Sequence, residues 1–282
     1  MAEFDVFDLH QHVGAIQLGV ADTGPADESE TWDIDADYAR RCQTMDRVGI
    51  RCAALMPSFH YLRPRGHEDT KALNTFMASY RDKYPERFPV AFGTVEPLHG
   101  SKLGVQEIER IGGELHLDGV AWHHRQQGVW ISDQRMIGFL RKVEELKLPA
   151  LIHVFSESTM EAPWGLEVLA DQFPNVTFIA MNALSGHTRS REMLGLATRH
   201  PNILLETSIM FPLGRYIDEF VGKVGSRRLL FGTDLYLNPP TYIYPHVLQE
   251  ILISGISDED KRNILWNNAR KLFGLERASN TR

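Results

Sequence analysis

The sequence predicts an α/β fold, a single-domain (β/α)8 (TIM) barrel, on three observations. Eight short apolar runs, each bounded by turn formers and followed by a stretch with helical spacing, alternate along the chain, the pattern of a parallel barrel. The length of 282 residues, with 43% hydrophobic and 24% charged content, suits one such core, so residues 1–282 are read as one domain. His10, His12, His153 and Asp234 fall at or near the ends of apolar runs, where a barrel gathers its chemistry on one face. An open doubly wound sheet is the alternative, but no Gly-x-Gly-x-x-Gly follows the first run, as a dinucleotide fold would want.

The first strand, Val6-Phe7-Asp8-Leu9-His10-Gln11-His12-Val13, carries histidines at i and i+2. Side chains alternate along a strand, so Asp8, His10 and His12 are expected on one face and Phe7, Leu9 and Gln11 on the other. Residues 14–35 follow, with Gly19, Gly24 and Pro25, several acidic residues, and no Lys or Arg before Arg40. So long a connection without periodicity reads as a lid, or as an acidic flap with no role. Helices are then expected at 36–48, 68–84, 103–111 and 133–146, the last with Ile137, Leu140, Val143 and Leu146 at near-helical spacing. Strands two to four fall at 52–57, 90–95 and 118–124, and strands five to eight at 149–155, 176–182, 203–208 and 229–233. Helices at 164–173, 189–198 and 213–224 separate the later strands, and two more, 245–253 and 258–273, close the chain.

Composition narrows the function. A net charge of -7 with no basic run argues against nucleic acid or an anionic membrane surface and leaves a small-molecule substrate as the expected partner. No apolar segment approaches the roughly 18 residues of a membrane span, and Met1-Ala2-Glu3-Phe4-Asp5 lacks the layout of a secretory signal. A cytoplasmic protein is expected, with Cys42 and Cys52 as reduced thiols. There is no Gly-x-Ser-x-Gly elbow, and both cysteines lie away from the predicted active face, so a Ser or Cys nucleophile has little support.

Neutral imidazole is a good ligand for zinc and similar ions. His10 and His12, with His153 closing the fifth run and Asp234 the eighth, supply three nitrogens and one oxygen, a ligand set for one divalent ion, zinc first and manganese next. The first and eighth strands become neighbours when the barrel closes. Two chance histidines near a terminus would explain the first pair alone; all four at strand ends are harder to explain that way.

With Asp8-Leu9-His10-Gln11-His12, Ile152-His153, Phe231-Gly232-Thr233-Asp234 and the closing Arg262-Asn263-Ile264-Leu265-Trp266-Asn267-Asn268-Ala269-Arg270-Lys271-Leu272-Phe273, the chain resembles the amidohydrolase superfamily. The similarity is to the amidohydrolase-related branch that includes relatives of amino-carboxymuconate-semialdehyde decarboxylase. The resemblance implies a barrel holding one metal ion, with His153 and Asp234 at the chemistry and Asp234 as a ligand or as the acceptor of a proton from metal-bound water. Asp8 then lies one layer deeper, steering an imidazole, or is a structural carboxylate bonded to backbone amides. Family habit and the C-terminal helices make a homodimer the candidate assembly. The chain departs from the family pattern on strand six, which usually ends in histidine; here Ile179-Ala180-Met181-Asn182 puts Asn182 there. Asparagine cannot shuttle a proton near neutral pH, so that role is missing or has moved. His187 is one candidate, equally readable as an exposed loop residue.

Further substrate-binding candidates are His60 and Arg63 after strand two, the latter as a carboxylate clamp, and His123, His124 and Arg125 at the end of strand four, together with Asn182. By alternation only one of His123 and His124 faces the lumen. Glu206 shares a face with Ser208 and reads as a wall pair or as a catalytic group. The leading expectation is a metal-dependent hydrolase of an amide, lactone or cyclic ester using a metal-activated water. The alternative is a lyase, a non-oxidative decarboxylase of an aromatic or unsaturated acid. A non-catalytic barrel, supported mainly by Asn182, and a metal-free lactonase complete the alternatives.

Overall fold

The structure, a computed structural model, describes residues 4–14, 33–59, 63, 65–211, 215–237 and 244–275. The expected lid at 14–35 thus lies almost wholly outside the described residues, as does His60.

Eight parallel strands form the barrel: β1 (Phe7–Val13), β2 (Cys52–Pro57), β3 (Val90–Ala91, continuing after Phe92 as Gly93–Thr94), β4 (Val120–Trp122), β5 (Ala150–His153), β6 (Phe178–Met181), β7 (Ile203–Glu206) and β8 (Leu229–Leu230). Each pairs with the next in sequence. The residues after β8 close the circle on β1 through Leu9 N→Phe231 O (2.9 Å), Asp234 N→His10 O (2.9 Å) and His12 N→Leu235 O (2.8 Å). Alternation sorts the strand residues into two layers. Leu9, Ala54, Phe92, Leu151 and Ile179 pack together in one cluster, while Leu55, Trp122, Ile152 and Leu205 join the larger cluster that the helices cover. Strands buried on both faces explain why they read as continuous apolar runs.

The helices on the outside are α1 (Ile34–Val48), α2 (His67–Lys83), α3 (Ser101–Gly113), α4 (His124–Gln127), α5 (Arg135–Leu146), α6 (Pro163–Gln172), α7 (His187–Arg199), α8 (Tyr216–Val224), α9 (Tyr244–Ile253), α10 (Asp258–Arg262) and α11 (Asn268–Leu272). Helix α1 starts on Asp33, whose carboxylate accepts from the amides of Asp35 and Ala36, and ends on Gly49 at φ 76°, the left-handed stop that glycine permits. No helix among the described residues is long and apolar enough to cross a membrane.

Three local departures from sequence expectation matter. Strand β1 is bulged, its register shifting between Asp8 and Gln11, so Gln11 Nε2 reaches Asp8 Oδ2 (2.7 Å) although alternation puts them on opposite faces. The wholly buried Arg41 fixes this irregularity by bonding Gln11 Oε1 (3.3 Å) and His12 O (2.9 Å) while paired with Asp37 (2.9 Å). Strand β4 ends at Trp122 and the chain turns into α4, so alternation does not extend to His123 and His124. The single terminal helix expected at 258–273 is interrupted by a π-helical turn, Asn263–Asn267, whose Ile264 carbonyl accepts from Phe231 N (3.2 Å) and so ties it to the closing strand.

Candidate metal centre and active site

The ligand atoms of His10, His12 and His153 lie within 4.8 Å of one another, all buried. Each ring is oriented by its Nδ1. His12 meets the Pro57 carbonyl at 2.9 Å, His153 the Trp122 carbonyl at 3.0 Å, and His10 meets Ser208 Oγ at 3.1 Å and Glu206 Oε1 at 3.3 Å. A carbonyl only accepts, so His12 and His153 carry a proton on Nδ1 and turn Nε2 inward. His10 Nε2 and His12 Nε2 are 2.8 Å apart, and Asp234 Oδ1 lies 3.4 and 3.2 Å from them.

Two bare imidazole lone pairs at 2.8 Å repel unless a proton or a cation lies between them. Burial works against a charge on His10, but Asp234 and Glu206 outweigh burial and raise it above the ordinary histidine range. Burial pushes His12 down to about 4 and His153 well below its usual value, the neighbouring imidazoles adding to the effect. Burial would raise Asp234, yet His10 and His12 overcome it and hold the carboxyl below its usual range. Three neutral-capable nitrogens and an ionised oxygen gather here: the His10, His12 and Asp234 atoms lie 2.8–3.4 Å apart and the His153 nitrogen lies within 4.8 Å of the other two nitrogens, a donor set that fits a divalent cation.

A second layer fixes this cup. Glu206 is wholly buried and accepts from Asn182 N (2.7 Å) and Ser208 N (2.8 Å), and its Oε1 also touches the Ser208 hydroxyl. It can come this close because residue 232 is glycine: a Cβ there would sit 2.1 Å from Glu206 Oε2 and 3.0 Å from His10 Cβ. Asp8 accepts from Thr233 N (3.0 Å), Thr233 Oγ1 (2.6 Å), His10 N (3.1 Å) and Gln11 Nε2 (2.7 Å). Its bonds go to backbone amides and to the Thr233 and Gln11 side chains, so it follows the structural reading; burial pushes it up to about 6. Asn182 and Asp234 both sit in the left-handed region, at φ 55° and 59°, which Asn and Asp tolerate better than most residues. The Asn182 amide donates to Asp234 Oδ2 (3.3 Å), and its carbonyl lies 2.9 Å from Ser208 Oγ.

Aromatic rings pack over the cup. Tyr236 stacks on His12 (4.3 Å, 15°), Phe59 stands edge-on to His153 (5.3 Å), and His123 stacks on His153 (4.1 Å, 13°). Of the two adjacent histidines, His123 therefore joins the site. His124 opens α4, is wholly buried, and is driven down to about 4 by burial, so it packs as a neutral ring. Arg125 stands at the rim with its guanidinium 5.0 Å from the Phe155 ring centre and 3.8 Å from Glu157. Arg63 is not a free clamp: it is buried and bonded to Glu96 (2.8 Å) and the Ser58 carbonyl (2.9 Å), so a substrate carboxylate would have to displace Glu96. His187 is exposed on the first turn of α7. Burial pushes the Cys52 thiol up to about 12, which leaves it inert.

Sequence reasoning missed Phe59, Tyr236 and Glu161 and left Glu206 undecided. Tyr236 could have been found as the residue two beyond Asp234 on the same segment. Glu161, which approaches His123 to 2.6 Å from a 3-10 turn, carries no pattern signal at all.

A closed parallel barrel with three imidazoles and a carboxylate at its C-terminal strand ends has the build of a metal-dependent barrel enzyme. The amidohydrolase family model matches residues 7–275, and the chain belongs to that family. Its relatives include the gamma-resorcylate decarboxylase of Polaromonas sp. (strain JS666), 22% identical over 295 residues that cover 84% of this chain and 87% of the relative. Among solved structures, a dihydroxybenzoic acid decarboxylase from Polaromonas sp. JS666 with bound manganese and 2-nitroresorcinol superposes with a TM-score of 0.70 at 19% identity, covering 98% of each chain. The 5-carboxyvanillate decarboxylase of Novosphingobium aromaticivorans, complexed with manganese and 4-hydroxy-3-methoxy-5-nitrobenzoic acid, gives 0.73 at 17% identity, covering 96% of each chain.

Proposed function

We propose that the protein is a metal-dependent, non-oxidative decarboxylase of an aromatic or unsaturated acid, rather than the hydrolase that the sequence alone favours. The observation that carries this reading is the pairing of a metal-fitting cup with flat walls. Tyr236, Phe59 and His123 stand over His10, His12, His153 and Asp234, a shape suited to a planar ring whose oxygen atoms face the cup. The decarboxylase names of the relatives support it. His10, His12, His153 and Asp234 would hold the ion. Manganese, present in two related structures, is the ion to try first, and zinc the next.

In decarboxylation the bond from the ring carbon to the carboxylate breaks, its electron pair stays on the carbon, carbon dioxide leaves and one proton takes its place. A divalent ion, when bound, supplies positive charge beside the substrate's oxygens. The chain's own residues do the rest. Phe59 and Tyr236 hold the ring and exclude water, Glu206 and Ser208 orient His10, and Asn182 fixes Asp234 without relaying a proton. Hydrolysis remains the second reading, because the same four ligands serve it.

The test is to load the protein with manganese and offer it 2,6-dihydroxybenzoate, 5-carboxyvanillate and a panel of lactones and amides, beside the His10→Ala/His12→Ala double variant. The expected result is about one equivalent of bound ion and release of carbon dioxide equal to the decarboxylated product, both lost in the double variant. Lactone or amide cleavage with no carbon dioxide from any acid would overturn the proposal in favour of the hydrolase. Failure to retain manganese or zinc would remove the metal reading altogether.

A further inference from the structure

The loop that follows β5 and the facing surfaces of α6 and α7 enclose a groove of about 580 Å³, within the size range of small-molecule sites. None of the metal cup's residues lines it. Arg189, on the first turn of α7, is the unusual member. It is only 8% exposed, yet no carboxylate among the described residues comes within ion-pair distance of it, and its one hydrogen bond runs from Nη1 to the Glu161 carbonyl (3.0 Å). Removing a charge from water is costly unless it is paired. Burial accordingly lowers this guanidinium from its ordinary value, and Glu192 and Glu161 offset the effect only in part. Nε and Nη2 have no partner among the described residues and are not sealed from solvent. The side-on edge of the guanidinium, the fork that grips a carboxylate or phosphate through two N–H groups, therefore stands open to the groove. The other charges along the groove are accounted for. Arg199 pairs with Glu167 (2.6 Å), Arg191 with Glu219, and Glu157 faces Arg125 (3.8 Å). Glu192, three residues on from Arg189, is exposed and solvated. Ser158, itself 8% exposed, and Thr159 add hydroxyls without a partner among the described residues, and the half-exposed Trp164 adds a flat apolar face.

We propose that this groove is a second binding site, for a small organic anion whose carboxylate or phosphate is taken by the Arg189 fork and whose apolar part lies along Trp164. The bond from Nη1 to the Glu161 carbonyl holds the guanidinium in place beforehand, so little ordering is left for binding to do. Glu192 opposes the anion, which keeps the affinity modest and sensitive to salt. The site does not depend on whether the metal cup decarboxylates or hydrolyses.

The test titrates metal-free protein with benzoate, phenyl phosphate and the neutral benzamide by calorimetry. It uses wild type, Arg189→Gln, Glu192→Gln and the His10→Ala/His12→Ala double variant, with thermal unfolding followed for each. Wild type is expected to bind benzoate or phenyl phosphate but not benzamide, and the tighter of the two acids names the anion that the fork prefers. Affinity should fall about tenfold in Arg189→Gln, equivalent to about 1.4 kcal/mol. It should rise about twofold in Glu192→Gln, where an opposing charge is gone, and keep its wild-type value in the double variant. Binding that survives Arg189→Gln, or that is lost in the double variant instead, would put the anion elsewhere and overturn the proposal. So would benzamide binding as tightly as benzoate, which leaves apolar contact alone, or a wild type that binds neither acid. Should Arg189→Gln fail to fold, Glu192→Gln decides: an anion held elsewhere would not sense that carboxylate, and an unchanged affinity there removes the site.

Discussion

Gly232→Ala is the smallest change that reaches the centre of the site. The added methyl would lie 2.1 Å from Glu206 Oε2 and 3.0 Å from His10 Cβ, and neither can retreat freely, because the barrel wall holds both. If the Glu206 carboxylate moves, the amides of Asn182 and Ser208, now bonded at 2.7 and 2.8 Å, lose their acceptor inside a dry wall. An unsatisfied buried donor costs about 1–3 kcal/mol, and overpacking adds about 1–3 kcal/mol. The gain from restricting the unfolded chain is only about 0.4–1 kcal/mol. The balance is a loss of about 3 kcal/mol or more, a large share of the ~5–15 kcal/mol that keeps a domain folded. His10 also loses one of the two partners of its Nδ1, Ser208 Oγ remaining, and disturbing such outer partners typically weakens metal binding about 10–100-fold. Denaturant unfolding and calorimetric titration with manganese check both figures. An alanine variant within about 0.5 kcal/mol and threefold of wild type would refute the reasoning that Gly232 exists to admit Glu206.

Asn182 separates two effects. Asn182→Gly keeps the left-handed backbone and removes the amide, so it should lose about 1–2 kcal/mol of stability together with manganese affinity. Asn182→Ala should lose about 1 kcal/mol more for a β-carbon at φ 55°, as unfolding of the two variants side by side would show. On the outer layer, Gly104→Ala gains about 1 kcal/mol in helix propensity but drives a methyl to 2.3 Å from the Phe139 ring. Overpacking of about 1–3 kcal/mol should leave the variant less stable by thermal unfolding. Asp118 carries a pH signature. Burial pushes its carboxyl up to about 6 from 3.8, outweighing its bond from Ala91 N and the nearby Arg81. A raised folded value means that its contribution to stability is full below about 3.8 and lost as pH rises through 6. With the side chain 26% exposed, that loss is about 1–2 kcal/mol after solvent screening. The stability of wild type relative to Asp118→Asn should therefore fall between pH 4 and about 7 in denaturant titrations, and a flat difference would contradict it.

The barrel was legible because a parallel strand covered on both faces must be apolar throughout, and eight such runs leave little else to build. The four converging residues were legible for a related reason: His10, His12, His153 and Asp234 each interrupt an apolar run near its end. What escaped depends on local backbone irregularity. The bulge in β1 brings Asp8 and Gln11 together against simple alternation, so Asp8 spends its bonds on Thr233, Gln11 and backbone amides rather than on an imidazole. The chain leaves the sheet after Trp122, so alternation could not say which of His123 and His124 joins the site. Glu161 reaches its place by a turn between β5 and α6, and no spacing rule encodes the path of such a turn. Arg63 was judged by its residue type alone, and only packing shows that Glu96 already holds it.

The anchors of the three imidazoles come from β2, β4 and the β7 region, and the carboxylate comes from the segment that seals the last strand against the first. A chain synthesised only as far as β7 holds every histidine of the cup but lacks Asp234, Gly232 and the bonds that draw β1 into the circle. A growing polypeptide therefore cannot trap an ion in the finished geometry. On the proposed reading, loading waits for the last strand, and the ion becomes a clasp that joins the first-made and last-made parts of the circumference. Its capture reports that the ring has shut.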